Sequence, residues 1–203
     1  MYFTTFLNGS LRFSAMLSAL ELRRQLLHIL FGLFLVVMLS KGLFTVSHLV
    51  VILVLGLVLS YLCKQYYVPL ASWVMDHFER EENRKTFPGK GPILFVIGSI
   101  IVVSLFPLTI ALASMMILTV GDALSHIFGK LLSRKAYATL KSVEGTLIGI
   151  LSGFVVALVF VDNAAVAFVG AFTAMAFEGV NFGVDDNLWI PIIAATSMSL
   201  FLL

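Results

Sequence analysis

Charge is what this sequence has least of: only 12% of its 203 residues are Asp, Glu, Lys or Arg. A water-soluble domain carries about 25%, because its surface faces water. The shortage excludes a soluble globule. The chain has one cysteine, Cys63, which excludes a disulfide framework and a cysteine-based zinc site. It has no internal repeat, and no basic segment precedes an apolar run at the N-terminus, so no cleaved signal peptide is expected. It also lacks a Gly-Lys-Ser/Thr string, a GxGxxG (position 94 is leucine) and the protein-kinase motifs. A nucleotide, if bound, is held by none of the devices of the soluble folds. What the chain does have is apolar bulk, 60% hydrophobic residues and a mean hydropathy of +1.06. Its expected solvent is lipid.

A helix crosses about 30 Å of hydrocarbon with about 20 apolar residues. Charged and turn residues cut the chain into seven stretches of roughly that kind: Arg24–Ser40, Gly42–Cys63, Pro92–Phe106, Leu108–Lys130, Val143–Val161, Ala164–Val184 and Leu188–Leu203. The expected fold is an all-α integral membrane protein of about seven transmembrane helices. Asn8, Gly9, Ser10 and Arg12 interrupt the start, so residues 1–22 read as an interfacial segment and 23–203 as a single membrane domain. In the connector Lys64–Lys90, residues Lys64–Arg84 read as an amphipathic surface helix around Val68–Phe78 with no chemical role, and Leu131–Ser142 reads as a polar loop. His48 is expected as packing filler in the middle of the second stretch. With a cytoplasmic N-terminus and alternating sides, 12 of the 13 basic residues lie inside, Lys41 being the exception. That is the positive-inside pattern. Ten of the eleven acidic residues share that side, all but Asp162.

Two carboxylates fall where hydrocarbon is expected. Asp122 and Glu178 each lie on the order of 10 Å inside the inner boundary of their stretch. A charge there is costly and faces a polar cavity and a partner, which points to one shared cavity on the cytoplasmic side. Gly121 permits close approach beside Asp122. His126 shares Asp122's helical face and either ligates a metal with it, orients the carboxylate or simply fills space. Gly129 and Lys130 continue the region. Lys141-Ser142-Val143-Glu144-Gly145 opens a helix, with Ser142 as N-cap and free backbone donors suited to phosphate, or as a plain cap. Pro88-Gly89-Lys90-Gly91-Pro92 is a shaped loop able to cradle an anion. Arg23, Arg24 and His28 stand at the inner end of the first stretch, where anchoring accounts for part of the cluster. Asp185-Asp186-Asn187 offers hard oxygen ligands for Mg²⁺ or Ca²⁺, or is a solvated acidic loop.

In order, these motifs resemble the CTP-dependent lipid kinase family that includes dolichol kinase, phytol kinase and the fungal CTP-dependent diacylglycerol kinase. The likeness runs from about Arg23 to Pro191, and its most specific strings are Lys-Ser-x-Glu-Gly at 141–145 and Asp-Asp-Asn-Leu-x-Ile-Pro at 185–191. Two positions depart from the family pattern: Arg23-Arg24 where Arg-Lys is common, and His126 where small residues are usual. The resemblance implies transfer of the γ-phosphate of CTP to the hydroxyl of a dolichol- or polyprenol-type alcohol, with phytol, geranylgeraniol or diacylglycerol as alternative acceptors. It implies Mg²⁺ or another divalent cation on Asp122 and Glu144, with Asp185 and Asp186 as further ligands. Lys90, Lys141 and Arg24 would contact the triphosphate, assisted by donors at Gly89, Gly91 and Gly145. Arg23, His28, Gly121, Gly129, Lys130 and Ser142 complete the expected nucleotide site. Asp122, Glu144 and Glu178 are the expected catalytic carboxylates, with Asp122 or Glu178 accepting the proton of the attacking hydroxyl. The partners are then CTP and a membrane lipid, with no nucleic acid and a homodimer left open. The location is a prokaryotic cell membrane, or an ER-type membrane in a eukaryote. Two other readings compete: a cytidylyltransferase forming a CDP-lipid, and a transporter. The near absence of polar residues in the outer halves of the stretches argues against transport.

Overall fold

Ser18 starts the first helix among the described residues, its hydroxyl accepting the backbone N–H of Glu21 at 3.1 Å. The structure, a computed structural model, describes residues 18–132, 136–138, 141–178 and 185–203. Helix α1 runs Ala19–Ser40 and α2 runs Val46–Gln65. The connector folds into α3, Pro69–Phe78, opened by a proline at its first position, and a short α4, Glu81–Thr86. Helix α5 covers Lys90–Leu105, entered through Gly89 at φ +74°, a left-handed conformation that glycine adopts without strain. After Pro107 a continuous 25-residue helix, Leu108–Leu132, passes through the middle of the molecule. It comprises α6 (Leu108–Met116), a π-helical segment (Ile117–Asp122) and α7 (Ala123–Leu132). A two-stranded antiparallel pair follows, β1 Ala136–Ala138 and β2 Lys141–Ser142. Helices α8 (Val143–Ala157), α9 (Ala164–Glu178) and α10 (Asp186–Phe201) complete the bundle.

Each of the seven apolar stretches carries a helix. Among the described residues three helices, α1, α2 and Leu108–Leu132, are long and apolar enough to cross a membrane, while α5, α8 and α9 are apolar but shorter. A core that includes Leu35, Phe95, Met115 and Ile117 is fully buried, yet many large apolar side chains also face outward. On α8 the buried positions are Gly145, Gly149, Gly153 and Ala157, while Val143, Leu147, Leu151 and Val155 face outward. Helix α2 is exposed along most of its length, through Val50, Val51, Val54, Leu55 and Val58. Small residues between helices and large apolar ones outside is the distribution of a chain whose surroundings are hydrocarbon. It is compatible with a membrane protein.

The small residues set the helix approaches. A Cβ on Gly145 would lie 2.7 Å from both Gly129 Cα and the Ser125 carbonyl oxygen, and one on Gly121 would lie 3.1 Å from the Gly149 carbonyl oxygen. Glycines on α8 thus face glycines on the central helix. The π segment widens that helix over the turn that ends at Asp122, and His28 on α1 donates from Nε2 to the Leu118 carbonyl within it at 3.3 Å. Pro191 inside α10 withholds the N–H that the Asn187 carbonyl would accept. Gly98 of α5 packs at that break, where a Cβ would stand 3.0 Å from the Asn187 oxygen.

Four expectations need correction. Helix α1 begins at Ala19, not near Arg24, because the Ser18 cap starts it; residues 1–17 of the expected interfacial segment lie outside the described residues. The 131–142 region is not all loop, since α7 reaches Leu132 and a strand pair follows. The connector carries a second helix, α4. His48 lies in the first turn of α2, where its Nδ1 stands 2.9 Å from Thr45 Oγ1.

Candidate metal and anion site

The last turns of the central helix carry Asp122, His126 and Lys130 at four-residue spacing, hence on one face. Glu178 ends α9 and Asp186 begins α10, so two further carboxylates reach the same end of the bundle. Ligand atoms of Asp122, His126, Glu178 and Asp186 all lie within 4.8 Å of one another. His126 Nε2 is 3.3 Å from Asp122 Oδ1 and 3.8 Å from Glu178 Oε1. Ser125 donates its hydroxyl to Glu178 Oε2 at 3.2 Å. The side chains of Asp122 and Glu178 are 9% and 0% exposed, and that of His126 19%.

These residues fit a divalent cation. Opposed ligands on bonds of about 2.0–2.2 Å stand about 4 Å apart, so atoms lying within 4.8 Å of one another need only a small contraction to share one ion. Carboxylates gathered in a poorly solvated site repel one another, and a dication offsets that repulsion. Three carboxylates with one imidazole suit Mn²⁺ or Zn²⁺ as well as Mg²⁺.

One turn beyond His126 lies a cationic group built around Glu21. The Glu21 carboxylate, 6% exposed, pairs with Arg24 at 2.8 Å, Arg80 at 3.1 Å and Lys130 at 3.2 Å. Gln25 Nε2 donates to it at 3.4 Å. Next to this group, both Glu79 carboxylate oxygens accept the Gly89 N–H at 3.0 Å. Burial holds the Glu79 carboxyl above the usual carboxylate range, although the Gly89 and Lys90 N–H groups and the Arg24 and Arg84 charges pull the other way. Lys90 pairs with Asp185 at 3.4 Å. Asp185 also caps α10, its Oδ1 accepting the Asn187 backbone N–H at 3.2 Å and the Asn187 side-chain Nδ2 at 2.8 Å.

Of the expected metal ligands, the structure brings Asp122 and Asp186 together and joins them with Glu178 and His126. Asp185 turns instead to Lys90. Glu144 stands half-buried in the first turn of α8, outside the four; Ser142 caps that helix by accepting the Gly145 N–H at 3.1 Å, which turns the Gly145 face toward Gly129. Gly121, Gly129 and Gly145 are accounted for by helix packing. Gly91 lies against Asn187, where a Cβ would be 3.6 Å from its Nδ2. Ser142 also donates to the Gly129 carbonyl at 3.4 Å. His28 serves Leu118, Arg23 is exposed apart from the group, and the Lys141 side chain lies outside the described part. Glu21, Glu79 and Arg80 are absent from the expected set. The signal for Glu21 was present as an i,i+3 pair with Arg24, but that spacing also describes an ordinary exposed helix pair.

Fold and site together define a class: a helical protein whose apolar helices carry a carboxylate–histidine cluster and a cationic group at one end. The chain is similar to an uncharacterized protein, MJ1137, of Methanocaldococcus jannaschii, with 33% identity over 181 residues that cover 86% of this chain and 91% of the relative. It belongs to the family of that protein. No protein-family model matches the chain, and no solved structure matches it.

Proposed function

We propose that the protein is a membrane-embedded kinase that transfers the γ-phosphate of CTP to the hydroxyl of an isoprenoid alcohol of the dolichol or polyprenol type. The observation that carries this reading is the juxtaposition of the Asp122, His126, Glu178 and Asp186 ligand atoms with the cations Arg24, Arg80 and Lys130 at one end of an apolar bundle. A lipid hydroxyl and a water-soluble phosphate donor can meet only at such a boundary. The order of motifs shared with the CTP-dependent lipid kinases adds the donor and the acceptor class. In this reading all seven apolar stretches cross the membrane, and the distribution of basic residues supports a cytoplasmic site.

Phosphoryl transfer asks for positioning and charge neutralisation more than for covalent chemistry. A divalent cation on the Asp122, His126, Glu178 and Asp186 cluster would supply neutralisation at the transferred group. Ser125 orients the Glu178 carboxylate through its hydroxyl. Asp122 and Glu178 are the two acceptors available for the proton of the attacking hydroxyl. Lys90 and Asp185 tie the start of α5 to the start of α10 and hold the mouth of the site.

The test is a transfer assay on detergent-purified protein with Mg²⁺ or Mn²⁺. It offers γ-labelled CTP and ATP in parallel to polyprenols, phytol and diacylglycerol. Label in a polyprenyl monophosphate from CTP is the expected result. With a polyprenyl or phytyl monophosphate added as a further acceptor, formation of a CDP-lipid with pyrophosphate released from CTP would replace the kinase by a cytidylyltransferase, and failure to bind any nucleotide would remove both.

A further inference from the structure

We infer that Glu21 gathers Arg24, Arg80 and Lys130 into a binding site for a polyphosphate, and that Arg80, on the surface connector, is one of its ligand-contacting residues. The inference rests on the proposed function for the identity of the ligand as a nucleoside triphosphate, but not for its chemical class. Three cations reach one buried carboxylate from separate parts of the chain: Arg24 from α1, Arg80 from the α3–α4 junction and Lys130 from the central helix. Within the ion-paired group three cations share one carboxylate, so these four side chains together are cationic. Their side chains remain 28%, 47% and 16% exposed, so each presents donors to the outside while anchored to Glu21. A guanidinium has five N–H donors in a rigid fork and can bond a carboxylate and a phosphate together.

Position gives the group its ligand class. Lys130 stands four residues beyond His126, about 6 Å along the helix, and so on the same face as the carboxylate–histidine cluster. A single phosphate spans one of these two features. A chain of phosphates reaches from the cluster, where a cation can neutralise one end, to the Arg24, Arg80 and Lys130 donors at the other. Glu79 lies within the field of Arg24 and of Arg84 and adds a second carboxylate beside the group, its oxygens accepting the Gly89 N–H.

Inorganic tripolyphosphate with Mg²⁺ is the probe, titrated by calorimetry into the full-length protein in detergent. Wild-type binding is expected, with Arg80→Gln weakening it about tenfold, the loss of one charge-assisted hydrogen bond, and Arg80→Lys recovering part of the loss. Glu21→Gln separates positioning from bulk charge. Removing a negative charge would tighten anion binding if charge alone mattered, whereas loss of the anchor weakens it about tenfold or more. If Glu21→Gln does not fold, the Arg80 pair decides, since Arg80 is half exposed and its loss leaves the bundle intact. Unchanged affinity in Arg80→Gln, or no binding of tripolyphosphate to the wild type, overturns the inference. Tripolyphosphate binding that depends on Arg80, in a protein that transfers no phosphate from CTP, keeps the inference and removes only the kinase reading.

Discussion

Two carboxylates in this protein are held in opposite ways. Asp122 faces His126 and two other carboxylates, whereas Glu21 is encircled by cations. Asp122→Asn removes one charge from the cluster without changing its shape. It is expected to lower the proposed CTP-dependent transfer by about 10²–10³-fold, as loss of a charge-stabilising group does, while the protein still reaches the membrane fraction. Activity near that of the wild type would remove Asp122 from the site. Glu79 makes a separate prediction about stability. Burial raises its folded-state pKa, so the folded chain holds that proton more tightly than the unfolded chain. The resulting stabilisation is present below the ordinary carboxylate range and is lost as the pH rises through the raised value. In Glu79→Gln the side chain does not titrate, so the melting temperature of the wild type should fall relative to the variant between acidic and neutral pH. A constant difference over that range would show that Glu79 is not burdened by burial.

Helix α8 and the central helix approach through glycine on both sides, and that approach brings Ser142 against Gly129. Gly145→Ala would place a methyl against backbone atoms, which cannot swing aside as a side chain can. It should destabilise the protein by about 1–3 kcal/mol, the range for an overpacked core, read as a lower melting temperature in detergent. Gly56→Ala on the exposed α2 is the control: its Cβ would meet only Ile93 Cγ1, at 3.5 Å. That change should be neutral or stabilising by about 0.5–1 kcal/mol through helix propensity. Equal losses at both positions would mean that the glycine-to-glycine contact does not set the helix spacing. The π segment belongs to this scale too. By adding a wide turn that ends at Asp122 it rotates the last turns of the central helix, and His28 satisfies a carbonyl within the widened turn.

For the molecule as a whole, the polar contacts form a belt around one end of the bundle. Glu21 joins α1 to the connector and the central helix, Glu79 joins the connector to Gly89, Lys90 joins α5 to Asp185, and the carboxylate–histidine cluster joins α9 and α10 to the central helix. Lys41 and Asp162 lie in the connections away from that belt. With Cys63 changed to serine, single cysteines at Lys41 and Asp162 should react with a membrane-impermeant maleimide added to intact cells. A cysteine at Arg84 should react only after permeabilisation. Labelling of position 84 from outside would reverse the orientation and carry the site to the other face.

The helical character, the seven apolar stretches and the sharing of one end by most charges followed from the sequence itself, because hydropathy and charge spacing act along the chain. Asp122, Glu178 and Asp186 were recognisable for the same reason: a carboxylate in or beside an apolar run needs a partner. Which side chains actually meet depended on helix rotation and on contacts distant in sequence. Ser142 capping and the Gly145–Gly129 approach set how α8 faces the central helix, and Glu144 lies outside the cluster. Glu21 and Arg80 stand 59 residues apart in the chain. No local spacing could pair them, and only the folding of the connector against α1 brings the guanidinium to the buried carboxylate.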